Sequence, residues 1–120
     1  MAVLNLLPAF AWAGFIFAVS SIPGNNIPGF FPFQDTLFHI SEYAILAWLV
    51  RRAIKAYYPL RSRWYYIYWT VAICLIYGIG DEFHQSFVPY RDASLLDVSF
   101  DTIGAIIGSL FVIKPIREHG

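Results

Sequence analysis

Residues 64–85 read Trp64-Tyr65-Tyr66-Ile67-Tyr68-Trp69-Thr70-Val71-Ala72-Ile73-Cys74-Leu75-Ile76-Tyr77-Gly78-Ile79-Gly80-Asp81-Glu82-Phe83-His84-Gln85. Aromatic rings crowd the start, apolar residues fill the middle, and ionisable and amide groups gather at the end. A spanning helix needs ~20 residues, and this stretch supplies them. The rings, with Tyr57 and Tyr58 just before them, suit an aromatic belt at one membrane interface. Asp81, Glu82, His84 and Gln85 then lie at the opposite interface.

The rest of the chain agrees. Its 120 residues are 58% hydrophobic, 19% aromatic and 13% charged, with a mean hydropathy of +0.57. An ordinary soluble domain is about 45–50% apolar and about 25% charged, and a small one buries a modest fraction of its surface. This composition argues for a membrane protein and against a disulfide scaffold or a disordered tail. Eight Lys+Arg balance eight Asp+Glu, so no global field recruits nucleic acid. The lone Cys74 excludes an intramolecular disulfide and a multi-cysteine metal site.

Three further spans flank the first, giving helices over about 4–21, 35–55, 64–85 and 95–113. The expected fold is an all-α membrane protein, a four-transmembrane-helix bundle in a single domain over 1–120. The Gly/Pro/Asn-rich stretch 23–34 reads as a loop, and Pro115 as a helix stop. Ala18-Val19-Ser20 loosely resembles a cleavage site, but no Lys or Arg precedes residue 51, so the first helix is expected to be retained. Arg51, Arg52, Lys55, Arg61 and Arg63 surround the second loop, and Lys114 and Arg117 follow helix four. The first loop has no cation and the third has Arg91. This alternation predicts both termini in the cytoplasm.

Ionisable groups then collect at the outer end. Asp35, His39 and Glu42 share one face of helix two, and Asp81, His84 and Gln85 one face of helix three. Asp97, Asp101, Gly104 and Gly108 form a stripe on helix four, expected to face the bundle. Several members have structural explanations. Asp35 suits a helix cap, and Ser94-Leu95-Leu96-Asp97 matches a capping box. Arg91 and Asp92 suit a solvated pair worth ~0–1 kcal/mol, Glu82 the headgroup layer, and Gln85 a helix-end hydrogen bond. Ser20 and Ser21 suit the end of helix one. His39, Glu42, His84 and Asp101 fit such explanations poorly, because an intramembrane charge costs ~2.5–3.5 kcal/mol or more. A buried structural network and a functional site both remain open for them.

At these segments the chain resembles the VanZ-like family of small bacterial membrane proteins. Asp35-Thr36-Leu37-Phe38-His39-Ile40-Ser41-Glu42-Tyr43 looks like the family's Asp-Lys-x-x-His-x-x-x-Tyr pattern. Asp81-Glu82-Phe83-His84-Gln85-Ser86-Phe87-Val88-Pro89-Tyr90-Arg91 is similar to its Asp-Glu-x-His-Gln-x-Phe-x-Pro-x-Arg signature. Ser94 to Asp101, followed by Gly104 and Gly108, is the third match, and the resemblance covers about 35–108. Thr36 stands where the family usually carries Lys, so that lysine's charge is missing here. The resemblance implies a bacterial inner-membrane protein. The family's founding member is associated with teicoplanin resistance, but the resemblance implies no particular reaction.

Two functions follow. The first is an enzyme or binding protein for a lipid-linked or cell-envelope substrate at the outer leaflet. His39, His84, Asp81 and Asp101 are the candidate catalytic residues; Asp35, Glu42, Tyr43, Glu82, Gln85, Arg91 and Asp97 are the candidate substrate-binding ones. A His–Asp pair suits acid–base work, and Arg91 suits phosphate or carboxylate. A divalent metal would draw nitrogen from His39 and His84 and oxygen from Asp35, Asp81 or Asp101, although no His-Glu-x-x-His spacing supports it. The second is a non-enzymatic module, an ion or proton relay or a structural partner of envelope machinery. The inner halves of the helices offer a relay little beyond Thr70 and Cys74. The partners expected are the bilayer and the envelope substrate, with no nucleic acid.

Overall fold

The computed structural model describes residues 2–91 and 94–111. Among them are four α-helices and no strand: α1 (Leu6–Ser20), α2 (Gln34–Tyr57), α3 (Arg63–Gln85) and α4 (Leu95–Ser109). A 3-10 turn, Ala2–Asn5, leads into α1, and a second, Gly24–Asn26, sits in the first loop. Asp92, Lys114, Pro115 and Arg117 lie outside the described residues.

Local chemistry sets the helix ends. The Ser62 hydroxyl accepts from the Tyr65 N–H at 3.2 Å and starts α3. The Ser94 hydroxyl accepts from the Asp97 N–H at 3.3 Å and starts α4. Each satisfies an amide that has no partner inside its helix. Helix two begins differently from the capping expected of Asp35. Its N-cap is Phe33, in the left-handed region at φ 63°, and Asp35 lies in the first turn. Gln34 fixes that start: its Oε1 accepts from the Phe30 N–H and its Nε2 donates to the Pro28 carbonyl, both at 2.7 Å. Helix four ends at Ser109, short of the expected residue 113, as the Leu110 N–H turns back to the Ile107 and Gly108 carbonyls.

Helix α2 is the hub, packed against each of the other three, most extensively against α4. The approach is backbone to backbone. A Cβ on Gly104 would run into the Ile40 carbonyl, and one on Gly108 into the Ala44 carbonyl. The glycine stripe of α4 therefore seats α2, as small residues do between close helices. Ile16, Tyr43, Leu46, Ala47, Cys74 and Ala105 form the apolar centre. Two long hydrogen-bond arms tie α1 to it: Trp12 Nε1 donates to the Glu42 carbonyl at 2.8 Å, and the Tyr77 hydroxyl to the Ala13 carbonyl at 2.5 Å.

One cation expected beside the second loop lies deeper. Arg51 is 5% exposed. It donates to the Ser109 carbonyl and packs 5.8 Å from the centroid of the Tyr66 ring. A guanidinium there satisfies a terminal carbonyl of α4 and meets the negative end of its dipole.

Among the described residues, only Ala2–Ser20 is both long and apolar enough to cross a membrane by length and composition, with a mean hydropathy of 2.0. Helix α4 has 15 residues, α2 carries Asp35, Glu42, Arg51, Arg52 and Lys55, and the tyrosines and tryptophans of α3 lower its hydropathy.

Candidate functional site

The chain direction brings the end of α1, the start of α2, the end of α3 and the start of α4 to one end of the bundle. The first and third loops close over it. The Gly24 N–H donates to the Pro89 carbonyl at 2.9 Å, and Gly24 sits so tightly on Tyr90 that a Cβ has no room. Arg91 fastens this roof to α1: its Nε donates to the Ile22 carbonyl at 2.9 Å and its Nη2 to the Val19 carbonyl at 2.6 Å. The guanidinium thus covers the carbonyl end of α1 while also lining the cavities below.

Beneath the roof lies a cavity of about 360 Å³. His39, Asp35, Gln85, Arg91 and Asp97 supply its polar wall, and Phe31, Phe33 and Tyr90 its rings. A smaller space of about 140 Å³ continues inward past Glu42 and Asp81. His39, Asp35, Gln85 and Arg91 line both.

The centre of the site is a buried ion pair. His39 Nδ1 lies 2.7 Å from Asp101 Oδ1, with His39 8% and Asp101 1% exposed. This contact joins α2 to α4 one turn before Gly104 allows the helices to touch. Glu82 approaches from α3, 7% exposed, and its Oε2 accepts from the Ser94 N–H at 2.7 Å. One ligand atom each from His39, Glu82 and Asp101 lie within 4.8 Å of one another. Asp81, 5% exposed, accepts from the Tyr43 hydroxyl at 3.2 Å. Three carboxylate oxygens here are buried without a hydrogen-bond partner: Asp81 Oδ1, Glu82 Oε1 and Asp101 Oδ2.

The fold therefore brings together Asp35, His39, Glu42, Asp81, Gln85 and Arg91 around one connected space, with Asp97 at the rim. Asp101, Glu82 and Tyr43 lie behind that wall. His84 is apart. Its ring stacks on Phe17 at a centroid distance of 4.3 Å, and its Nε2 meets the Ser21 hydroxyl at 2.9 Å. The expected metal nitrogens His39 and His84 are thus on different sides of α3. The cause is rotational. Glu82 and His84 are two residues apart, ~200° around a helix, and α3 turns Glu82 towards α4 and His84 towards α1. Glu82 is accordingly buried in the interior of the bundle. Gln34, which anchors the loop over the cavity, carries no motif that singles it out, beyond an amide beside a Pro/Gly loop.

Nδ1 of His39 is bound to Asp101, and the His39 side chain lines the cavity. A carboxylate-oriented imidazole of this kind takes up or gives a proton. The VanZ/LLP1 family matches residues 3–116, nearly the whole chain. No curated protein matches, nor does any solved structure. With the Asp35–Tyr43 and Asp81–Arg91 segments meeting at one site, and that match running from end to end of the fold, the chain belongs to the VanZ/LLP1 family.

Proposed function

We propose that the protein is a multi-pass protein of the bacterial inner membrane, with both termini cytoplasmic, whose polar end faces outward and binds a lipid-linked or cell-envelope substrate. The observation that carries this reading is where the polar and apolar groups lie. Asp81, Glu82, Gln85, Asp101, His39 and Arg51 are inside, while Phe10 is 69%, Ile76 70%, Phe83 69% and Leu95 85% exposed. Only 17% of the most apolar window of Ala2–Ser20 is buried. Apolar surface on this scale marks a partner or a membrane, and helices whose polar groups turn inward suit lipid.

The basic residues Arg51, Arg52, Lys55, Arg61 and Arg63 lie at the end opposite the cavity, which supports an outward cavity. The apolar centre formed by Ile16, Leu46, Ala47, Cys74 and Ala105 separates the two polar ends. That separation favours a one-sided binding site over a relay. In the cavity, Asp35 and Asp97 suit hydroxyl or amine donors, Arg91 an anionic group, and the rings of Phe31, Phe33 and Tyr90 the face of a sugar or peptide. His39, oriented by Asp101, would move a proton on the bound head group. Family membership extends the proposal to a response to glycopeptide antibiotics.

Lipid retention tests the binding role. The detergent-solubilised protein should hold a polar-headgroup envelope lipid in native mass spectrometry, and Asp35→Asn should release most of it. Asp35 is exposed, so this change leaves the fold intact. Retention unchanged by Asp35→Asn and by His39→Gln would refute the cavity as the binding site.

A further inference from the structure

We infer that His39, Glu82 and Asp101 form a site for a divalent cation of the Zn²⁺ or Mn²⁺ class, directly behind the cavity. The inference goes beyond the substrate reading and stands on the cluster alone. Three helices contribute one residue each, and one ligand atom from each lies within 4.8 Å of the others. Metal bonds of 2.0–2.2 Å place ligand atoms up to ~4.4 Å apart, so small side-chain adjustments close the shell. One imidazole and two carboxylates form a donor set that Zn²⁺ and Mn²⁺ accept.

The orphaned oxygens point the same way. Asp101 Oδ2 and Glu82 Oε1 are buried with no hydrogen-bond partner, on residues 1% and 7% exposed. A buried polar oxygen left without a hydrogen-bond partner is costly. Asp101 Oδ2 faces α3 at Gly78, where a Cβ would lie 3.1 Å from it, one turn from Glu82. The charges close as well. Two carboxylates and a neutral imidazole around a dication sum to zero, which suits a dry interior. Arg91 gives its Nε and Nη2 hydrogen bonds to carbonyls of α1 and the following turn, not to these carboxylates.

The test uses the full chain in detergent, stripped with a chelator and titrated with Zn²⁺ alone. One equivalent should bind and raise Tm, with at least a tenfold loss of affinity in Glu82→Gln and in Asp101→Asn. The Mn²⁺-loaded wild type is the second measurement and needs no variant to fold. Its pulsed electron paramagnetic resonance spectrum should show nitrogen coupling from one imidazole. That coupling should vanish in His39→Gln and persist in His84→Gln. Folded wild-type protein that binds no stoichiometric Zn²⁺, or binding undiminished in both carboxylate variants, overturns the site. So does a Mn²⁺ spectrum without nitrogen coupling. Lipid retention is read separately, so failure of the cation site and failure of the substrate reading give different results.

Discussion

At the scale of single residues, His39 and Asp101 have the most at stake. The pair is buried, and the Asp101 carboxylate has no other hydrogen-bond partner among the described residues. His39→Ala removes that partner, and breaking a buried pair costs ~3–5 kcal/mol. Thermal melting in one detergent should show a large fall in Tm, with His39→Gln milder because an amide still hydrogen-bonds. Equal melting of His39→Ala and wild type would mean that the ion pair contributes nothing. His84 serves as the comparison. Its ring contact with Phe17 and its bond to Ser21 lie near the surface, so His84→Ala should cost no more than ~1 kcal/mol. A collapse in Tm for His84→Ala on the scale of His39→Ala would contradict its placement. Tyr43→Phe falls between them: it deprives Asp81 of its hydroxyl donor and should cost ~1–3 kcal/mol.

At the scale of the helix, the decisive contact is α4 against α2. Gly108→Val would drive methyl groups into the Ala44 carbonyl. Overpacking of this kind costs ~1–3 kcal/mol or more, here against backbone that cannot rotate away. Gly80→Ala is the control, since nothing lies near its Cβ position. It should melt at or above the wild-type temperature, because alanine favours a helix interior over glycine by ~1 kcal/mol. If Gly108→Val melts like Gly80→Ala, the two helices do not touch as described. Much of this was legible in the sequence. The spacing of Asp97, Asp101, Gly104 and Gly108 marks one helix face, and acids running into glycines must face protein. What local sequence did not reveal was rotation relative to neighbours. On α3, the arc through Asp81 and Gln85 extends either to His84 or to Glu82, and only the position of α4 decides for Glu82. Arg51 was illegible for a similar reason: its partner is the carbonyl end of a helix nearly sixty residues away. Gln34 was hidden because its role is to hold backbone, which no side-chain pattern announces.

The whole molecule joins an apolar exterior, an apolar centre and a polar cavity at one end. Each exterior ring would be a liability in water and an advantage in lipid. In the proposed orientation the cavity end faces outward across a membrane and the basic end faces the cytoplasm. Cysteine accessibility tests this most directly, in intact cells with a membrane-impermeant thiol reagent. Asn25 in the roof loop and Leu60 in the basic turn are both exposed, whereas Gly24 has no room for a side chain. The native Cys74 is 1% exposed and should stay silent. Asn25→Cys should be labelled from outside, and Leu60→Cys should stay protected until the membrane is permeabilised. Labelling of Leu60→Cys with Asn25→Cys protected would contradict the orientation, and equal labelling of both in intact cells would contradict the membrane-spanning bundle itself.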